Sequence, residues 1–245
     1  MIRKIIYMVL IINLLFIYSN SLLLADNSQV PESIEDEFLS KTEKIVADPF
    51  EPYNRVIFGF NDKVYTWALE PTAKGYSKVI PEKPRKWINN FFNNLLFPVR
   101  FVNNLLQLKF KRAGVETLRF LINSTIGIAG FGDIATSQFH LKSYNEDFGQ
   151  TLGFHCMGSI FHIEWPFIGP SNFRDTIGWV GDMFLDPINY LPTNIWVIIG
   201  IYTFKKINQT SLHLGEYDKL KKESLDFYTF MRDLYEQNRE KLIEE

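Results

Sequence analysis

Apolar residues recur at helical spacing along most of the chain from Asp48 onward. The clearest case is PRKWINNFFNNLLFP, in which apolar pairs recur every four residues and asparagine pairs fill the positions between them. This spacing places apolar residues on one face of a helix and neutral amides on the other. We call Trp87, Phe91, Asn94 and Leu95 of this helix the amphipathic wall. Two interpretations stay open: a core helix with a solvated asparagine face, or a wall between apolar material and an uncharged polar passage.

Prolines and capping residues divide the remaining pattern into further helices. The sequence predicts a first helix from Asp48 that ends at Pro71, and a cap at Ser171 or Asn172. The other predicted helical segments are a short piece to residue 79, then 98–106, 109–122, 145–157 and 173–184, with an apolar run at 195–204 that is too short to span a bilayer. No segment shows a strong alternation of apolar and polar residues, which would indicate a strand. We therefore predict an all-α domain with at most one short hairpin, at the glycine-rich stretch 127–132.

The polarity of the segments divides the chain into four parts. Arg3 and Lys4 precede an apolar run, so residues 1–25 are predicted to be an export signal cleaved after Ser21 or Ala25, or else an uncleaved anchor. Residues 26–47 are acidic and lack periodicity, as in a solvated linker. The helical domain is predicted at 48–204, and residues 205–245 are predicted to form a charged helical tail that is exposed or loosely docked.

Composition narrows the classes of function. The formal net charge is −2, so no global basic field favours nucleic acid as a partner. Aromatic residues make up 16% of the chain, a share that suits a core, an apolar tunnel or a membrane interface. Cys156 is the single cysteine, which excludes an internal disulfide and a cysteine-rich metal site.

The stretch STIGIAGFGDIA has glycine spacing like that of a nucleotide-binding loop. Such loops follow a strand, whereas RFLIN is predicted to be the end of a helix. No lysine follows the glycines, and Asp133 places a negative charge where a phosphate would need attraction. We therefore expect a flexible apolar bend in place of a phosphate cradle.

No constellation of residues indicates catalysis. Asp147-Phe148-Gly149 matches the kinase metal-binding triplet, but the other kinase motifs are absent, as is a G-x-S-x-G elbow. His155 and His162 lack a convincing third metal ligand, and Asp175 with Asp182 is better explained by helix capping than by paired carboxylates. We expect no catalytic residue, no metal and no cofactor.

Several ordered blocks of the chain resemble one family. The blocks are DPFEPYNRVIFGFN, NNFFNNLLFPVRFVNNLLQ, RFLINSTIGIAGFGDIA, EDFGQTLG, WPFIGPSNFRD and DPINYLP. Over about residues 48–192 they resemble the MlaA (VacJ) family of Gram-negative phospholipid transport proteins. The resemblance implies an α-helical ring in the inner leaflet of the outer membrane, with a central amphipathic channel. It also implies a non-enzymatic function, in which mislocalised phospholipid is removed from the outer leaflet with the help of a trimeric porin and passed to a soluble periplasmic lipid carrier.

The same resemblance assigns two segments to the channel. One is the bend beside it, which we predict to gate lipid passage: Gly127, Gly130, Phe131 and Gly132. The other helps to set whether the channel leaks, with helix packing as the alternative: Gly59, Phe60 and Asn61. We expect Gly130→Pro to reduce transport and to leave the fold intact.

A lipid-transport function also agrees with elementary energetics. A phospholipid carries roughly thirty methylene groups, whose exposure to water would cost on the order of 20 kcal/mol. Apolar helices can shelter the acyl tails while neutral amides let a headgroup pass. A periplasmic helical scaffold that transfers no lipid is the alternative, and a lipid-cleaving enzyme is a third hypothesis.

The expected location is the periplasmic face of the outer membrane. Members of the family are usually lipoproteins, yet no cysteine lies near residues 15–30, so we expect no lipid anchor. Retention would then depend on the aromatic ring, on a porin, or on an uncleaved N-terminal segment, which would place the protein at the inner membrane.

Overall fold

The computed structural model describes residues 47–245. The signal or anchor predicted at 1–25, and the predicted linker apart from Ala47, lie outside the described residues. The described α-helices are α1 (Glu51–Val64), α2 (Glu70–Val79), α3 (Glu82–Leu95), α4 (Phe97–Leu106), α5 (Phe110–Thr125), α6 (Ile134–Ser137), α7 (Phe148–Phe154), α8 (Phe173–Met183), α9 (Ile195–Leu212), α10 (Glu216–Glu223) and α11 (Phe227–Glu244).

The first predicted helix does not end at Pro71. A π-helical turn, Tyr65–Leu69, joins α1 to α2 without a break, and Pro71 lies in the first turn of α2. Proline donates no N–H, so the α-helical hydrogen-bond ladder is interrupted at this point, directly after the π-helical turn. The cap predicted at Ser171 or Asn172 is found at Asn172, whose side chain accepts a hydrogen bond from the Asp175 N–H at the start of α8.

The described residues contain one hairpin, and its position differs from the prediction. Strands β1 (His162–Trp165) and β2 (Gly169–Asn172) pair antiparallel, with His162 opposite Asn172. The hairpin therefore lies between the predicted helices 145–157 and 173–184, and the glycine stretch is a turn. Asn54 of α1 fixes β1 from the side: its Oδ1 accepts from the Glu164 N–H at 2.9 Å, and its Nδ2 donates to His162 O at 3.2 Å.

The helices pack in pairs around a cavity. Helix α9 packs on α2 and α3, α4 packs on α5, and α8 packs on α7. Helices α3, α4, α8 and α9 all contribute residues to the wall of one cavity. The predicted all-α, ring-shaped domain is thus confirmed.

The interior of the domain is polar and much of its surface is apolar. The largest fully buried side chains are all polar: His162, Gln107, Glu116, Glu164, Asn54, Asn103, Asn104, Asn172 and Asn208. Large apolar side chains lie outside instead, among them Trp67 at 76% exposure and Trp196 at 75%. In water such a surface is unfavourable, because apolar area costs about 25 cal/mol per Å². This distribution is the inverse of that in a protein surrounded by water on all sides.

The buried polar groups are held by hydrogen bonds between helices. Asn208 of α9 donates to Arg85 O of α3 at 3.0 Å and accepts from Tyr76 Oη of α2 at 3.0 Å. Gln107 donates to Glu146 Oε2 at 2.9 Å. Polar groups buried with partners avoid the penalty of unsatisfied burial, so the ring is held together by polar contacts where a water-soluble domain uses apolar packing.

The C-terminal tail is docked into the domain. The boundary predicted between residues 204 and 205 falls inside α9, which runs unbroken to Leu212. In α11, Arg239 is buried and pairs with two carboxylates, donating to Asp147 at 2.6 and 2.8 Å and to Asp175 at 2.9 and 3.0 Å. The prediction of an exposed or loosely docked tail is therefore wrong for α11, because it missed these long-range ion pairs.

Across residues 47–245, no helix combines the length and the apolar character needed to cross a membrane.

Candidate functional site

The glycine loop, residues 127–132, is a tight turn that follows α5. Ile128, Ala129 and Gly130 have positive φ angles of 53°, 55° and 90°. The Gly130 N–H donates to Asn123 O at 2.7 Å, and the Gly132 N–H donates to Gly127 O at 2.8 Å. A left-handed backbone costs a non-glycine residue roughly 1–2 kcal/mol. These hydrogen bonds hold a defined, strained conformation where the sequence suggested an open, flexible bend.

The three glycines of this loop differ in the space around them. A Cβ at Gly127 would collide with the carbonyl oxygens of Gly132 and Asn123, and one at Gly130 would lie 2.5 Å from Asn94 Cβ. A Cβ at Gly132 would make contacts of 3.5 Å, which are ordinary. Gly127 and Gly130 are therefore required by close approach, whereas Gly132 tolerates a methyl group.

The backbone conformation of Gly130 corrects the expectation for Gly130→Pro. Proline cannot adopt a φ near 90° and has no N–H to donate to Asn123. The substitution would damage the loop itself, so it does not isolate a gating role.

The amphipathic wall meets the glycine loop directly. The Phe91 ring stacks on Phe131, with centroids 5.0 Å apart and 15° between the planes. Asn94 is buried and donates to Ser124 Oγ at 3.0 Å. Leu95 is half-buried, and Trp87 at the start of the wall is 52% exposed. The structure thus brings Phe91 and Asn94 together with the loop and leaves Trp87 on the surface.

The segment Gly59-Phe60-Asn61 lies against the hairpin. Asn61 Nδ2 donates to Glu164 Oε1 and to Trp165 O, both at 2.9 Å. Asn61 Oδ1 accepts from the Phe167 N–H at 2.8 Å, and the Phe60 and Phe167 rings meet edge to face at 5.1 Å. Asn61 therefore fixes the turn of the hairpin to α1, while a methyl group added at Gly59 would meet no atom within 4 Å.

The cavity inside the ring has a volume of about 680 Å³ and a wall of mixed polarity. Its apolar part is supplied by Leu96, Val99, Ile168, Trp179 and Met183. Its polar part includes Asn93, Arg100 and Asn145. A space of this size with both kinds of lining suits an amphipathic ligand.

A second, smaller cavity adjoins the first. Its volume is about 140 Å³, and five asparagines line it: Asn90, Asn93, Asn94, Asn123 and Asn145. Two arginines, Arg100 and Arg119, and the carboxylate of Asp133 also line this cavity. Asn93, Arg100 and Asn145 line both cavities, so the two spaces share a junction. Three asparagines of α3, Asn90, Asn93 and Asn94, therefore border a polar space.

Carboxylates also line the larger cavity, among them Asp182. Asp182 accepts from the Phe148 N–H at 3.1 Å and from Asn103 Nδ2 at 3.0 Å. Burial raises the pKa of Asp182 to about 7, and the nearby charge of Asp147 adds to the effect. Burial also lowers the pKa of Lys205, which lines the same cavity. The cavity therefore carries charges of both signs, and one of its carboxylates titrates near neutral pH.

The histidines considered as metal ligands have separate structural roles. His155 Nε2 lies 3.0 Å from Leu106 O, while His162 is buried with Nδ1 3.2 Å from Glu236 Oε1. Burial by itself lowers the pKa of His162, but the carboxylates of Glu164 and Glu236 outweigh it and raise the pKa. Among the described residues, no group of three potential ligands is placed to hold a metal ion.

The carboxylates considered as catalytic pairs are structural too. Asp147 of the kinase-like triplet caps α7 in a capping box with Gln150. Asp175 lies in the buried cluster with Arg174 and Arg239. Asp182 of α8 caps the start of α7 by accepting from the Phe148 N–H, a contact between two helices.

Sequence reasoning missed the residues at the junction of the two cavities. Asn93 belongs to the predicted wall helix, but Arg100 and Asn145 come from other elements. The asparagine spacing in α3 was a signal for the first of these. Nothing local marks the others, because their position depends on how α4 and the segment before α7 fold back on α3.

Comparison with known proteins places the chain among lipid-transport proteins of bacteria. Residues 46–242 match the family model described as MlaA lipoprotein. The chain is 31% identical over 193 residues to the intermembrane phospholipid transport system lipoprotein MlaA of Escherichia coli, covering 77% of this chain and 75% of that one. It is 30% identical to the protein of the same name from Haemophilus influenzae, covering 78% and 77%.

Two further matches agree. An uncharacterized protein of Rickettsia typhi is 32% identical over 200 residues, covering 81% of this chain and 79% of that protein. A solved structure described as the structural basis for maintenance of bacterial outer membrane lipid asymmetry superposes with a TM-score of 0.71 at 30% identity, covering 80% of this chain and 99% of that one.

Proposed function

The chain belongs to the MlaA lipoprotein family, and from this membership we propose that it transports phospholipid and catalyses no reaction. In this proposal it removes mislocalised phospholipid from the outer leaflet of the outer membrane. It then passes the lipid to a soluble periplasmic carrier and so maintains lipid asymmetry. The E. coli relative is named an intermembrane phospholipid transport system lipoprotein, which supports this role.

The observation that carries the proposal is the inverted polarity of the domain around an amphipathic cavity. Side chains such as Trp67 and Trp196 are mostly exposed, while the largest fully buried side chains are polar. An apolar outer surface is stable against acyl chains, where it avoids the cost of hydration. A cavity of about 680 Å³ with apolar and polar lining gives tails and headgroup separate surfaces on the way through the ring.

The proposed location is the outer membrane at its periplasmic face, within the inner leaflet. A ring that lies in a monolayer needs no membrane-spanning helix, and a trimeric porin would give it access to the opposite leaflet. Porin and carrier are proposed partners by family membership. The apolar surface of α9, with Trp196 and Ile195 exposed, supports contact with lipid or with the apolar belt of a porin.

We extend the proposal to two segments of the channel. The glycine loop is proposed as the gate, because Phe131 of the loop stacks on Phe91 of the wall helix. Gly132→Ala tests it: the added methyl group makes ordinary contacts of 3.5 Å, so the fold should persist while the loop loses backbone freedom. A slower lipid transfer with unchanged melting temperature supports the gate; an unchanged transfer rate refutes it.

The segment Gly59-Phe60-Asn61 is proposed to keep the channel from leaking. Asn61 ties α1 to the hairpin through three hydrogen bonds. Asn61→Ala should free the hairpin turn and let phospholipid reach the outer leaflet. Asn89→Ala on the half-exposed side of α3 is a control that should not change lipid asymmetry.

The whole proposal is tested by deleting the gene and measuring phospholipid in the outer leaflet, together with membrane fractionation of the protein. In the deletion strain, phospholipid should accumulate in the outer leaflet. The wild-type chain should restore lipid asymmetry and should be recovered in the outer-membrane fraction. A scaffold would leave asymmetry unchanged and would purify without stoichiometric lipid. Release of free fatty acid from phospholipid by the purified protein would indicate a lipid-cleaving enzyme instead.

A further inference from the structure

We propose that the junction of the two cavities is a binding site for the phosphodiester of the transported lipid, formed by Arg100, Asn93 and Asn145, with the charge of Arg119 in the adjoining small cavity. This inference rests on the proposed function and adds a headgroup site to it. Acyl tails would lie along the apolar part of the larger cavity, and the headgroup would enter the smaller polar one.

Unused hydrogen-bond donors at the junction support an anionic ligand. Arg100 donates through Nε to Glu116 Oε2 and through Nη1 to Asn93 O, both at 2.6 Å. Its Nη2 makes no hydrogen bond within residues 47–245, although Arg100 lines both cavities. A guanidinium presents its donors in a planar fork that matches phosphate oxygens.

Arg119 adds a second positive charge. It is 7% exposed, and its Nε is buried without a hydrogen-bond partner. The acid that faces this atom is Glu116, at 3.7 Å, which is too far for a hydrogen bond. The Nη2 of Arg119 is already used, donating to Asp133 at 3.2 Å. Its Nη1 is used as well, donating to Thr136 Oγ1 at 2.7 Å. Because Nε is closed to solvent and faces Glu116, Arg119 contributes its positive charge to the small cavity and no free donor.

Two amides complete the site. Asn93 and Asn145 are both exposed to the junction, and no hydrogen bond engages either side-chain NH₂ group within the described chain. Asp133, the one carboxylate among the described residues that line the small cavity, is occupied by Arg119, Asn123 and Thr136. An entering phosphodiester would therefore meet donors, and neutral amides would bind it weakly enough for it to leave.

The test changes the two amides and spares the arginines. Replacing Arg100 would leave Glu116 buried without its main partner, so a loss of activity would be ambiguous. Asn93→Asp and Asn145→Asp keep the size of each side chain and replace a donor by a negative charge. The Ser143 hydroxyl, which donates to Asn145 Oδ1 at 3.1 Å, keeps its acceptor. Asn89→Asp, on the same helix but outside both cavities, is the matched control.

The full chain is incubated with vesicles of phosphatidylethanolamine and phosphatidylglycerol, and in parallel with vesicles doped with diacylglycerol, which lacks the phosphate. Bound lipid per protein is counted by mass spectrometry. The double variant should hold at least about tenfold less phospholipid than the wild type, since hydrogen bonds to a charged group are lost and repulsion is added. Diacylglycerol loading should not change, and Asn89→Asp should match the wild type for both lipids.

Three outcomes would overturn the site. Equal phospholipid loading of wild type and double variant would show that the junction does not contact the phosphate. An equal fall in diacylglycerol loading would show that the cavity itself had changed. A rise in melting temperature with inorganic phosphate that the double variant abolishes, without any change in lipid loading, would assign the site to the free anion. If the wild type takes up no lipid at all, the proposed function fails, which is a different result.

Discussion

Replacing Gly130 with alanine should destabilise the domain through two separate effects. Alanine at a φ near 90° costs roughly 1–2 kcal/mol in backbone strain. The new Cβ would also lie 2.5 Å from Asn94 Cβ, which is fixed to the backbone of α3 and cannot swing away. Overpacking of this kind costs about 1–3 kcal/mol. The expected total is about 2–5 kcal/mol.

Thermal unfolding in detergent, followed by circular dichroism, measures the effect. For a chain of this length each kcal/mol shifts the melting temperature by about 2–4 °C, so a decrease of about 4–20 °C is expected. Gly75→Ala in α2 is the control, because a methyl group there meets no atom within 4 Å. Alanine in an exposed helix should stabilise the protein by up to about 1 kcal/mol. Equal melting temperatures for the two variants would refute the close packing of the glycine loop on the wall helix.

Three further predictions follow from the charges and the surface. Arg239→Met should cost about 3–5 kcal/mol of unfolding free energy, because the buried Asp175 loses a cation, while the exposed Lys222→Met should cost nothing measurable by urea denaturation. Burial raises the pKa of Asp182 to about 7, so the folded chain keeps a proton that the unfolded chain loses, and stability falls as pH rises from about 4 to 7. Melting temperatures of Asp182→Asn should lack this fall, and an unchanged profile would contradict the raised pKa. Trp196→Glu should weaken flotation with liposomes, whereas equal flotation with a Lys222→Glu control would argue against this surface facing lipid.

The raised pKa of His162 gives a second pH effect. Protonated His162 lies between the carboxylates of Glu164 and Glu236. The stabilisation is fully present below its unfolded pKa of about 6.5 and is lost as pH rises through the higher folded value. The pH range over which His162 loses its stabilisation begins near the upper end of the range over which Asp182 titrates. The two groups therefore affect the pH dependence of stability mainly in different ranges.

Local patterns were sufficient for most of the helices and for the two faces of α3. The four-residue repeat of apolar and asparagine pairs determined α3 and its two faces, and the side chains before α8 limited its cap to Ser171 or Asn172. These features depend on neighbours a few residues apart, which is the range over which helical periodicity and capping act.

Other features depended on contacts between distant parts of the chain. Arg239 and Asp147 are 92 residues apart, so no local signal could show that α11 is docked. The hairpin at 162–172 is held by Asn54, which lies 108 residues before His162. The hairpin was predicted at the glycines instead, because glycine permits many turns and does not by itself choose one.

The sequence by itself determined that most helices of this protein have an apolar and a polar face, and which family it resembles. Only the tertiary structure decided which face points inward. The periodicity of the sequence shows that the two faces of a helix differ in polarity. Whether a face contacts the interior or the surroundings depends on how the helices pack against one another. Here Glu116, Asn103 and Asn104 lie in the interior and Trp196 lies outside, because hydrogen bonds and ion pairs hold the ring together and leave its apolar faces for a nonaqueous surrounding.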